Sequence, residues 1–129
     1  MTKTIYNNTK PYHWVTPETE TVLQRGYLLP GETPQDAVRR VTTAAANRLD
    51  RPDLQPKFEA LVANGWMSLS SPVWANMGTD RGLPISCFGS YVEDSMDGIT
   101  KTLSECIMMT KFGGGTAAYF GHLRERGAG

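Results

Sequence analysis

The 129-residue chain balances 13 Lys and Arg against 13 Asp and Glu, and 40% of its residues are hydrophobic. Zero net charge offers no bulk attraction to nucleic acid or a membrane surface, and no apolar stretch approaches the roughly 20 residues that span a bilayer. Two cysteines, Cys87 and Cys106, with no CxxC or Cys/His metal spacing, exclude a disulfide framework and point to a reducing, cytoplasmic setting.

The opening "MTKTIYNNTKPYHW" is polar and aromatic, unlike a secretory leader. It reads as an extended lead-in whose Tyr6, Tyr12, His13 and Trp14 pack onto a neighbouring surface. Thr16-Pro17-Glu18 then reads as a helix N-cap, a proline at the first helical position and an acid in the first turn, with Gly26 as the stop. Thr33-Pro34 repeats the pattern, and Asp36 completes a capping box. Val38, Val41, Ala45 and Leu49 follow at helical spacing, which leaves Arg39, Arg40 and Arg48 as a solvated face. Pro52 interrupts. "DLQPKFEALVANG" predicts a third helix, apolar at Phe58, Leu61 and Val62 and stopped at Gly65. Residues 1–65 thus read as a helical region without catalytic residues.

After Trp66 the chain changes character. Proline and glycine recur every few residues in "SLSSPVWANMGTDRGLPISCFGSYV", so no helix is expected before Cys87. Residues 86–92 suit a strand. Asp94 can cap a helix with Met96, Ile99, Leu103, Cys106, Ile107 and Thr110 on one stripe, ending at Gly113-Gly114-Gly115. "TAAYF" is a second strand. Strand, helix, glycine turn and strand make a parallel βαβ unit, which is only part of an α/β sheet or barrel.

Each chemically interesting residue has a bland reading beside a functional one. Cys87 is a buried structural cysteine or a redox thiol; Cys106, on the helix stripe, reads as core. The glycine run is a helix stop or a place where a ligand lies on bare backbone. It is not a phosphate loop, since no Gly-Lys-Ser/Thr follows. Asp94-Ser95 is a cap or a nucleotide contact. His122, Arg124 and Arg126 form a solvated turn or, at the C-terminal edge of a strand, a phosphate site.

Taken together, "SLSSPVWANMGTDRGLPISCFGSYVEDSM", "KFGGG" and the closing "RERG" resemble the start of the catalytic (large) subunit of ribonucleotide reductase, over residues 66–129, with phage-type class I spelling. "RGYLLPGETPQDAVRRV" resembles that family's N-terminal helical region more loosely. The resemblance implies an α/β fold, with residues 66–129 as the first β-α-β portion of an incomplete ten-stranded barrel. It implies that Ser71, Ser86, Cys87 and Gly115 hold the ribonucleoside diphosphate, and that Cys87 is one of two cysteines that reduce it. It implies that Asp94, Ser95, Met96 and Arg124 bind a deoxynucleoside triphosphate effector, and that helix 95–111 forms a dimer interface.

The family's partner cysteine, radical cysteine and flanking Asn and Glu have no counterpart in this sequence, nor does its N-terminal ATP-cone. The resemblance therefore implies the N-terminal component of a split reductase, inactive without a complementary C-terminal fragment. No cofactor is expected on this chain. The radical would come from a metal-containing small subunit, with adenosylcobalamin the less favoured source, and rereduction from a thioredoxin- or glutaredoxin-type protein. The strand "TAAYF", left as a bare edge, predicts obligate association. The alternative is a non-enzymatic nucleotide-binding or assembly module derived from the reductase.

Overall fold

Thr16 and Thr33 open the first two helices, as their spacing from Pro17 and Pro34 predicts. In a computed structural model, which describes residues 10–128, α1 is Pro17–Leu23 and α2 is Pro34–Arg48. The Thr33 hydroxyl accepts from the Asp36 amide while the Asp36 carboxylate accepts from the Thr33 amide. That reciprocal box satisfies two of the donors a helix start leaves open. A 3-10 turn at Pro52–Leu54 leads into α3, Gln55–Ala63, which Gly65 terminates.

A fourth helix, α4, spans Ser71–Asn76, where none was expected. Pro72 was read as a breaker. It lies in the first turn instead, where a missing N–H costs nothing. Burial of Trp74 supplies the packing that a six-residue helix lacks by itself.

The chain divides into two compact units, residues 1–84 and 85–129. The division falls after α4 rather than at Trp66. In the first unit, Leu23, Ala37, Val38, Val62 and Trp74 form the core, and Tyr12, Trp14, Tyr27, Leu28 and Leu69 pack on it. Tyr12 and Trp14 thus pack as expected, but residues 11–14 form a turn, with Tyr12 at φ +61°, where an extended segment was expected; Tyr6 lies outside the described residues. On α2 the buried face is Ala37, Val38, Val41, Thr42 and Ala46, whereas Leu49, just past the last turn, stays exposed. Arg40 departs from its expected solvated face: its side chain keeps 11% of its surface and pairs with Glu32.

The second unit is one βαβ crossover. Strand β1, Cys87–Tyr91, and strand β2, Gly115–Tyr119, pair in parallel, with Cys87 opposite Gly115 and Tyr91 opposite Tyr119. Helix α5, Met96–Lys111, connects them. Its N-cap is Ser95, whose hydroxyl accepts from the Gly98 amide at 3.0 Å; Asp94, the expected cap, is engaged elsewhere. At its far end the Gly114 amide donates to the Met109 carbonyl and the Gly113 amide to Thr110. This Schellman turn needs the left-handed φ of +88° that Gly113 adopts. Gly114 has a different reason to lack a side chain: a Cβ there would lie 2.6 Å from the Phe88 ring. The architecture is a helical region followed by a small, incomplete parallel sheet.

Candidate active site on the open face of the strand pair

Alternation along the two strands sorts their side chains onto two faces. Phe88, Ser90, Thr116 and Ala118 are half-buried on the face that α5 packs against. Cys87, Gly89 and Tyr91 of β1 lie on the other, exposed face with Gly115, Ala117 and Tyr119 of β2. Register pairs Cys87 with Gly115 and Gly89 with Ala117. The thiol thus stands at one end of a floor of very small residues, in an open groove of ≈ 450 Å³.

The thiol is exposed, contrary to the structural reading of Cys87, whereas Cys106 is half-buried on α5. The Ser86 hydroxyl lies 4.0 Å from the Cys87 sulfur, and the Ser86 carbonyl accepts from the Gly115 amide at 2.5 Å. Three of the four expected substrate residues therefore come together across one strand pair. The fourth, Ser71, is the first residue of α4 in the other unit, with its hydroxyl 3.4 Å from the Tyr27 phenol.

The expected effector residues also meet. Parallel strands deliver both their C-terminal ends to one edge, where α/β folds bind ligands. Arg124, beyond β2, donates through Nε to Asp94 Oδ2 at 2.8 Å and through Nη2 to the Asp94 carbonyl at 3.3 Å. The hydrogen bond from Arg124 holds the Asp94 carboxyl below the usual carboxylate range. Ser95 caps α5, and Met96 beside it is 75% exposed.

Two features of this edge escape sequence reasoning. The Asp94–Arg124 pair joins residues 30 apart in sequence and becomes visible only once the strands are known to be parallel neighbours. Tyr91, Tyr119 and His122 form a ring cluster with centroid separations of 5.4–5.7 Å, His122 stacking on Tyr91. The available signal was the equal placement of the two tyrosines at the ends of their strands. Among the described residues, no group of three His, Cys, Asp or Glu side chains is placed to hold a metal, and no helix is long and apolar enough to cross a membrane.

Known proteins agree with this division of the chain. Residues 16–82 match the family described as "Ribonucleotide reductase, all-alpha domain", and residues 85–129 match "Ribonucleotide reductase, barrel domain". The chain belongs to the ribonucleotide reductase large-subunit family.

Among solved structures, the reductase chain is similar to the class Id ribonucleotide reductase alpha subunit of Actinobacillus ureae. The two share 47% identity and a TM-score of 0.84, over 92% of this chain and 23% of that one. Curated relatives include the ribonucleoside-diphosphate reductase large subunit of Invertebrate iridescent virus 6, 34% identical over 77% of this chain and 10% of that protein. The vitamin B12-dependent ribonucleoside-diphosphate reductase of Mycobacterium tuberculosis is 33% identical over 83% of this chain and 17% of that protein. The chain spans 10–17% of the length of the curated relatives it matches.

Proposed function

We propose that this chain contributes one redox thiol, part of the substrate site and part of the specificity site to a ribonucleoside-diphosphate reductase. The observation that carries the reading is the exposed Cys87 thiol opposite Gly115, on a face of the sheet that small residues keep bare. Ser71, Ser86 and Gly115 hold the ribonucleotide, and Cys87 faces its ribose. Cys87 and a second thiol elsewhere in the catalytic subunit give up two electrons and two protons. The ribose 2′-hydroxyl leaves as water, a hydrogen takes its place, and the sulfurs join as a disulfide. Cys106 sits on the helix against the opposite face of the sheet, which argues against it as that second thiol. A dithiol protein of the thioredoxin or glutaredoxin type restores the pair by thiol–disulfide exchange, for which an exposed sulfur is required.

Asp94, Ser95, Met96 and Arg124 take the deoxynucleoside triphosphate. Guanidinium suits phosphate through its fixed donor fork, and Asp94 holds Arg124 in place until phosphate competes for it. The rest of the barrel completes both sites, whether on this polypeptide or another. Radical chemistry is supplied by a metal-containing small subunit. Higher identity to a class Id alpha subunit than to a vitamin B12-dependent enzyme favours that source over adenosylcobalamin. Outward-facing Met96, Leu103 and Ile107 on α5, each more than half exposed, suit helix-to-helix dimerisation.

The test is Cys87→Ser in the complete catalytic subunit containing this chain. Deoxyribonucleotide formation should be lost while the circular dichroism spectrum and nucleotide binding are retained. Full turnover in that variant contradicts the assignment.

A further inference from the structure

The helical unit holds a buried ion pair that the redox chemistry does not use. The Arg40 and Glu32 side chains keep 11% and 9% of their surface. Arg40 Nε donates to Glu32 Oε1 at 2.7 Å and Nη2 to Oε2 at 3.0 Å, a forked pairing. Glu32 Oε2 also accepts from the Leu29 amide at 2.9 Å. Removing two charges from water offsets most of their attraction, so such a pair adds little net stability. What it does supply is direction, since every bond in the fork fixes an angle.

That direction is spent on α4. Arg40 Nη1 donates to the Met77 carbonyl at 2.5 Å and Nη2 to the Trp74 carbonyl at 3.0 Å. These carbonyls lie at the helix end, where acceptors are left open and a cation is favoured. Close packing keeps the contact rigid. A Cβ on Gly78, at φ +76°, would lie 2.9 Å from Arg40 Cγ and 3.2 Å from the Arg40 carbonyl. The segment that carries Glu32 also reaches the other end of α4, through the Tyr27 phenol beside Ser71.

We propose that Glu32 and Arg40 are positioning residues for substrate binding: they anchor α4 at its C-terminal end so that Ser71, at its start, meets the ribonucleotide. This rests on the reading of Ser71 as a substrate residue. The test uses the complete catalytic subunit containing this chain and compares Ser71→Ala with the double variant Glu32→Gln/Arg40→Met. Changing both partners leaves no lone buried charge, so the variant should still fold, with a melting temperature lowered only by loss of the bonds to the Met77 and Trp74 carbonyls. The substrate KM should rise in both variants, up to about ten-fold for one displaced hydrogen bond. In the Glu32→Gln/Arg40→Met variant, saturating kcat and deoxynucleoside triphosphate binding should stay unchanged. Arg40→Lys keeps the charge but not the fork, folds without the paired change, and should show an intermediate KM. A raised KM in Ser71→Ala with parental values in both Arg40 variants overturns the clamp alone. A parental KM in Ser71→Ala removes the Ser71 reading, and the positioning claim with it.

Discussion

Tyr12 ties the lead-in segment to α3 through its hydroxyl and its amide. It donates to Glu59 Oε1 at 3.0 Å, while its amide donates to the Ala63 carbonyl. Burial, with help from the nearby Glu59 carboxylate, pushes the phenol up to about 12. The folded state therefore prefers the neutral phenol. Its contribution to stability is whole below the unfolded value near 10, and is lost as pH rises from there through 12. Melting temperatures between pH 8 and 12 should fall more steeply for the parent than for Tyr12→Phe, which at neutral pH should cost about 1 kcal/mol. Parallel curves would contradict that account. The importance of Tyr12 was legible as an aromatic lead-in. Arg40 was misread because its partner, Glu32, precedes α2 and so falls outside helical periodicity. Burial of a charge is a tertiary fact that spacing on one helix cannot show.

At the scale of the element, α5 carries two devices. Ser95→Ala removes the acceptor for the Gly98 amide and should cost about 1 kcal/mol, read as a lower denaturation midpoint. Asp94→Ala should cost the helix less, since Asp94 pairs with Arg124 instead of capping; a larger loss for Asp94→Ala would reverse the assignment. The sequence pointed to Asp94 as the cap; Ser95 takes that place because Arg124, from beyond β2, engages Asp94. The glycine run was fully legible as a stop, since a Schellman turn announces itself locally. The stripe was legible in part. Ile99 and Cys106 turn toward the sheet, whereas Met96, Leu103 and Ile107 face outward. In the complete catalytic subunit, Leu103→Lys should leave the helix intact and abolish the proposed dimer, read as a monomer in sedimentation. A persistent dimer would assign that face another role. Helix α4 was hidden because Pro72 at a helix start and proline in a loop look alike.

For the whole molecule, the order helices-then-βαβ was readable from period and punctuation, whereas the candidate site residues were named by the family resemblance, and they meet for a reason the sequence pattern does not state. The reason is topological. Parallel strands joined by one helix must place Cys87 beside the glycine turn and bring the segments after both strands to one edge. Tyr91, Tyr119 and His122 were not foreseen, because register decides which rings meet. In the proposed reaction, each turnover oxidises Cys87. The most direct measurement incubates the complete, reduced catalytic subunit containing this chain with its radical source, ribonucleoside diphosphate and effector, but no external reductant. Free thiols are then alkylated and mapped by mass spectrometry. The account predicts that Cys87 becomes protected in step with deoxyribonucleotide formed, while Cys106 stays as accessible as before. Cys87 alkylated equally with and without turnover would contradict it.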